Sequence, residues 1–383
     1  MIARNTLLMK PYCRNLLFLF GMFVCGCAGA SADDSKDYKP HIYGTVKTKF
    51  EISTYDGQMR FNVRNSRLGV RGNVSPALRY AMQIELSSEG KLEVLDSYVA
   101  VDLKRLSISL GQQQYGFSTE LDRGGKNYFA NRSFIGKFIS QYYSTGLSDG
   151  RPVYDVNTIG SRDIGLLLSS GGGDFPLTVS LGIFNGEGIN NPKWTRHVNF
   201  VSRIGYRINH RLRFAVGYYN GQTPVTSMVS EAEDGTLTLV GCKQKIEMEN
   251  VEVFYTTRRF IVEAAYATRL LSGDMGRNRM HSVLVQSLYK IPIRRSKVFD
   301  HFAPMVRWDW VNDCKYIDEA DSSFGAFRAH RITAGLTLGM TEKLLRGEIR
   351  LNYEHYMLGD RPLHMKANML LHNKFTLEFI AVF

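Results

Sequence analysis

The residue patterns that carry chemistry elsewhere are present in this sequence, but in unpromising surroundings. Gly146-Leu147-Ser148-Asp149-Gly150 matches G-x-S-x-G, a pattern that activates serine only on a strained turn from a strand into a helix. Here it falls in a stretch with no such signal, so coincidence is the better reading. Gly182-Ile183-Phe184-Asn185-Gly186-Glu187-Gly188 is glycine-rich but lacks the spacing and the Lys-Ser/Thr of a phosphate-cradling loop. The nine histidines are scattered and no H-E-x-x-H is present. Cys242 and Cys314 belong to no C-x-x-C pair. Neither a metal, a cofactor nor a catalytic set is therefore expected. Both cysteines lie in expected connections, and the sequence leaves open whether they pair.

A stronger chemical signal is cationic. In segments that alternate with period two, Lys47, Lys49, Arg79, Arg203, Arg213, Arg307 and Arg350 fall opposite an apolar face. If that face borders enclosed water, rings of Lys and Arg raise the local anion concentration and lower the barrier to anion entry. The alternative is cross-strand pairing with Glu51, Glu85, Asp96, Glu263, Asp309 or Glu348. A long irregular stretch, residues 115–161, adds Arg123, Lys126, Arg132 and Lys137. Folded inward it would bring these charges against a passing solute; otherwise it is an external surface loop.

The elements that must position these residues are strands. In the last stretch, Phe375, Leu377, Phe379, Ala381 and Phe383 share one face, and Thr376 and Glu378 fall on the other. That is the mark of a strand between two different environments. A terminal apolar strand would be a sticky edge in an open sheet, whereas a membrane barrel closes it against the first strand. Similar segments begin at His41 to Ser53 and Met59 to Gly72, with a bulge expected near Asn65, where the apolar parity flips. The next carries Tyr80, Met82, Ile84 and Leu86 outward, and the fourth Leu95, Val99, Val101 and Leu103. About sixteen strands are counted to the end, an even number as a single-chain bacterial barrel requires. Connections after even-numbered strands tend to be short, and nearly all long ones follow odd-numbered strands, such as Gly221 to Lys243 and Asn312 to Phe327. Short turns at one end and long loops at the other fit a barrel better than a propeller or a sandwich.

Composition agrees. The 383 residues include 22 Phe and 20 Tyr, suited to interfacial girdles, and mean hydropathy is −0.20. Beyond the N-terminus no apolar run is long enough for a transmembrane helix. Arg4, Lys10 and Arg14 precede the apolar run Leu16 to Val24, and Ala28-Gly29-Ala30 and Ala30-Ser31-Ala32 are small-residue cleavage patterns. Residues 1–32 therefore read as an export signal, with 33–383 as the barrel. Val24-Cys25-Gly26-Cys27 is a competing lipoprotein-like box. The formal net charge is +12. Its spread along strands, rather than in an arm or helix, speaks against a nucleic-acid partner.

In this order, several short pieces resemble the phosphate-selective porin O and P family of Gram-negative outer membranes. They include Phe61-Asn62-Val63-Arg64-Asn65-Ser66-Arg67-Leu68-Gly69-Val70, Val94-Leu95-Asp96-Ser97-Tyr98-Val99 and Gly116-Phe117-Ser118-Thr119-Glu120. Asn131-Arg132-Ser133, Arg162-Asp163-Ile164-Gly165 and Pro304-Met305-Val306-Arg307-Trp308-Asp309 continue the likeness. The resemblance implies a trimeric, sixteen-stranded porin whose third long loop folds inward and whose anion path is lined by arginine and lysine. Arg64 and Arg67 would belong to the constriction, Asp96 would balance them, and Arg132 would come from the loop. Asn65 stands where the family often has a second basic residue, and Gly116 where it has proline. The expectation is accordingly anion-leaning diffusion of small solutes such as phosphate, rather than strict phosphate selectivity. Outer-membrane lipid and lipopolysaccharide are the expected surroundings. Two other functions are weighed against this one. They are a surface-binding or adhesion protein using the loops around Glu231 to Asp234 and Asp318 to Asp321, and a barrel hydrolase built on Ser148.

Overall fold

The computed structural model describes residues 38–383 apart from 89–90, 124–126, 149–150, 159, 173–174, 274–275, 318–323, 342–345 and 360–371. The expected export signal, Cys27, Lys126 and Asp318 to Asp321 lie outside the described residues.

Sixteen antiparallel strands form one closed sheet. In chain order they are β1 (His41–Ser53), β2 (Met59–Val63 and Arg67–Asn73), β3 (Leu78–Ser88) and β4 (Lys91–Leu103). Then come β5 (Leu106–Gln114), β6 (Arg162–Gly172), β7 (Phe175–Phe184) and β8 (Asn199–Arg207). The wall continues with β9 (Leu212–Gln222), β10 (Lys245–Thr256), β11 (Phe260–Gly273) and β12 (Gly276–Tyr289, extended by Ile291–Pro292). It ends with β13 (His301–Ile317), β14 (Phe324–Thr341), β15 (Arg346–Leu358) and β16 (Lys374–Val382). Each strand pairs with its sequence neighbours, and β16 pairs with β1 from Thr45↔Val382 to Ser53↔Lys374. Past that ladder, Gly44 and Phe383 exchange backbone hydrogen bonds of 2.7 and 3.1 Å. The ring therefore leaves no sheet edge unpaired, which is what a lipid environment demands.

The two faces differ as the alternation requires. Phe379 on β16 and Val216 on β9 point outward, each 48% exposed, while their neighbours Glu378 and Ala215 are buried inside. No helix among the described residues is long and apolar enough to cross a membrane; the strands supply the apolar band instead. Tyr255, Phe260 and Tyr289 form a chain of ring contacts at the short-turn end, with centroids 6.4 and 6.2 Å apart. At the opposite end His330 lies between Trp308 and Trp310.

Two register shifts near the N-terminal strands bear on the lumen. The halves of β2 both pair with β1 around Arg64-Asn65-Ser66, with Asn65 at φ 59°. This is where the parity flip placed it, and Asn tolerates the left-handed region better than most residues. The second bulge was not expected. Gln83 pairs with Asp96 but Ile84 with Val94, so Leu95 is skipped. It turns inward at 6% exposure, and Val94 takes its place on the outer face. The outward assignment of Leu95 is thus corrected.

β11 to β14 run to 14, 14, 17 and 18 residues, against the roughly 10 needed to span a bilayer. Part of the expected loop from Asn312 to Phe327 is therefore ladder, with Cys314 paired to Phe327 on β14. Cys242 also sits on a strand, in the external hairpin Thr226–Glu231 with Leu237–Cys242. It is a buried free thiol 3.4 Å from Thr226 Oγ1, so it is not bridged to Cys314. Most even-numbered strands end in turns of a few residues. The connection from β12 to β13 is the exception, at residues 290–300.

Candidate functional site: an inserted segment and a basic wall

The described part of residues 115–161 is structured. They contain α1 (Thr119–Asp122), α2 (Phe134–Phe138) and a hairpin of Gln141–Ser148 with Arg151–Thr158. Each helix is about one turn long, too short to show a helical period in sequence. Their serine caps are the remaining signal: Ser118 Oγ accepts from Leu121 N, and Ser133 Oγ from Gly136 N, both at 3.2 Å. Ser133 Oγ also donates to Glu120 at 2.6 Å, tying α2 to α1. Ser148 ends one hairpin strand and the return strand starts at Arg151. The strand-to-helix turn that a nucleophilic serine needs is absent at this place.

The segment packs against the inner wall through an apolar patch. Phe117, Leu121, Phe134, Ile135, Phe138 and Ile139 are buried against Val201, Tyr219, Met248, Leu284 and Val311. One wall residue must be small for this fit. A Cβ on Gly217 of β9 would overlap the Phe117 carbonyl oxygen, to which Asn250 Nδ2 also donates.

Buried charges then clamp the segment's backbone. Arg331 donates to Asp309 at 2.5 and 2.9 Å, to Glu354 at 3.0 Å and to the Arg132 carbonyl at 2.6 Å. Arg307 donates to the Asn131 carbonyl at 2.9 Å, and Arg350 to the Asn127 carbonyl at 2.7 Å. Lys49 donates to the Ala130 carbonyl and lies 3.6 Å from Glu378. Asp309 accepts in turn from the Phe134 amide at 2.8 Å. Arg307 and Arg331 are 2% and 1% exposed. Every one of these guanidinium or ammonium groups has a carboxylate as well as a carbonyl, which is what makes burial of the charge tolerable.

This corrects part of the expected pore lining. Lys47, Lys49, Arg307 and Arg350 face inward as parity requires but are buried, the last three against the segment, and they do not project into open water. Pairing is the dominant fate of the inward charges: Arg203 with Glu252, Arg123 with Glu263, and Arg350 with Glu348 and Glu378. Arg213 lies over the Phe254 ring at 4.3 Å. Arg79 sits apart near the short-turn end, bound to Asp102 at 3.0 Å and to Ser107 at 2.9 Å.

The opposite wall keeps basic groups at the surface of the lumen. Arg64 is exposed in the β2 bulge, and Arg71 is exposed above the Tyr43 ring at 5.2 Å. Arg67 pairs with Glu85 at 2.7 Å, and Asp96 pairs with Arg162 at 2.8 Å. Arg132, from the segment, has Arg64, Arg67 and Arg162 among the charges acting on it, with Glu120 the acid of the set. Its side chain has no ion-pair partner among the described residues. Lys137 lies over the Phe138 ring at 5.3 Å, with Arg64 also in range. The structure thus brings together Arg64, Arg67, Asp96, Arg132 and Lys137 from the residues singled out in the sequence. Arg71, Arg162, Arg331 and Glu354 were missed as site residues. Strand parity held the signal for Arg71, since it shares a face with Arg67. Arg331 and Glu354 become visible only once β14 and β15 are paired.

A closed sixteen-stranded antiparallel barrel with a segment packed inside is an architecture found among outer-membrane barrels. OmpT of Vibrio cholerae in a trimer form has 15% identity to this chain, with 90% of this chain and 99% of that one covered at a TM-score of 0.60. OmpF of Salmonella typhi, in complex with daunomycin, has 14% identity over 90% and 98% at 0.60. OprB of Pseudomonas putida has 10% over 90% and 93% at 0.55. At these identities the likeness concerns the fold. No protein-family model and no curated protein sequence matches the chain, so the likeness reaches outer-membrane barrels in general and not the phosphate-selective family in particular.

Proposed function

We propose that the protein is an outer-membrane porin whose water-filled channel favours small anions such as phosphate. The observation that carries this reading is Arg132. Its side chain, without an ion-pair partner among the described residues, stands on the inserted segment near Arg64, Arg67 and Arg162 on the facing wall, while most other inward charges are neutralised. An anion at about 4 Å from one such group gains on the order of 4 kcal/mol at an effective dielectric constant of about 20. A cation meets the same energy as a barrier. The segment 115–161 acts as the constriction, and Asp96 and Glu85 keep the arginines extended and apart. The absence of a strand-to-helix setting for Ser148 favours a channel over a hydrolase. A homotrimer is the proposed assembly, exported through residues 1–32. The test is a reversal-potential measurement in planar bilayers across a KCl gradient, followed by phosphate competition of the chloride current. An anion-selective potential that shrinks toward zero in Arg132→Ala supports the reading; a cation-selective channel, or no steady conductance, overturns it.

A further inference from the structure

Part of the chain's positive charge lies outside the lumen. At the short-turn end, the connections after β8, β10 and β12 carry Arg211, Arg258, Arg259, Arg294, Arg295 and Lys297, all exposed. None of the six forms an ion pair among the described residues. Asp300 is the acid described on these three connections, and it faces His301. Backbone hydrogen bonds make the three turns one continuous arc: Thr256 N donates to the Arg211 carbonyl at 2.8 Å and Lys290 N to the Arg259 carbonyl at 2.7 Å.

We propose that this arc binds the anionic headgroups of phospholipids in the membrane leaflet at the short-turn end of the barrel. Charge alone would also suit an acidic soluble partner; two further observations favour lipid. The arc lies directly against the outward ring chain of Tyr255, Phe260 and Tyr289, and such aromatic rings sit at the headgroup level. Exposed apolar side chains are also interleaved with the cations: Ile208 before Arg211, Ile291 before Arg294 and Val298 after Lys297. Basic groups beside apolar tips fit an interface with acyl chains on one side and phosphates on the other.

The experiment uses the full-length protein in detergent with equal amounts of dioleoyl-phosphatidylglycerol and dioleoyl-phosphatidylcholine, read by native mass spectrometry. The protein should retain phosphatidylglycerol over phosphatidylcholine by at least about tenfold. The variant R258S/R259S/R294S/R295S should retain the two nearly equally while keeping the conductance of the unaltered channel. Equal retention by the unaltered protein overturns the proposal, as does a preference that survives in the variant. A third result counts against it too: purified peptidoglycan pulling down the protein without competition from phosphatidylglycerol, since the arc would then serve a cell-wall polymer. These outcomes are independent of ion selectivity, so this proposal and the channel reading stand or fall separately.

Discussion

At the scale of single residues, the lumen separates charges that hold the structure from charges left for a solute. Arg331 and Glu354 belong to the first kind: each is buried, and between them they bind Arg307, Asp309, Asn131 and the Arg132 carbonyl. Glu354→Gln should destabilise the barrel by roughly 3 kcal/mol, because two guanidinium groups lose a shared counter-charge in a desolvated place. Heat-modified gel migration measures this, with the folded band lost at a lower temperature. Arg132 belongs to the second kind. Its side chain has no ion-pair partner to lose among the described residues, so Arg132→Ala should leave the same melting temperature nearly unchanged while shifting the reversal potential. A variant that moved both equally would place Arg132 among the structural charges.

At the scale of elements, docking of residues 115–139 combines apolar burial with backbone clamps. Phe134 and Phe138 are in contact, with centroids 5.5 Å apart, and Arg331 covers the Phe134 ring at 4.7 Å. Removing a buried Phe costs about 3–5 kcal/mol in a packed site. The penalty falls on segment docking rather than on the wall, whose ladder is made without it. Phe134→Ala should therefore raise single-channel conductance and current noise while the barrel stays folded in gels. Gly217→Val, which drives a side chain into the Phe117 carbonyl, should act in the same direction. Unchanged conductance in both variants would show that the segment does not limit the pore. The strands themselves were largely legible, because lipid on one face and polar contacts on the other impose a period of two. The exception at Leu95 came from a bulge with no parity flip clear enough to mark it, unlike the one at Asn65. The two helices were illegible for another reason: their apolar residues follow the shape of the wall rather than any period of their own.

For the whole molecule, the proposed channel rests on a field rather than on a chelating site. The anion preference should accordingly be strong at about 0.1 M KCl, where the Debye length is about 10 Å, and fall by 1 M, where it is about 3 Å. Reversal potentials at a fixed activity ratio and rising absolute concentration measure this. A preference insensitive to concentration would point instead to a dehydrated binding site.

The alternation of oily and polar residues determined the closed antiparallel barrel on its own, because a sheet surrounded by lipid has one way to satisfy its edges. The same alternation determined which cations face inward. It could not say which of them meet water, because that depends on contacts between residues far apart in the chain. Arg307 and Arg350 are hidden, and Arg132 is set near Arg64, only because a segment from one connection comes to rest against strands more than a hundred residues away. The meeting of Arg211, Arg258, Arg259, Arg294, Arg295 and Lys297 at the short-turn rim is likewise a property of the fold: turns separated along the chain by whole strands become neighbours once the ring closes.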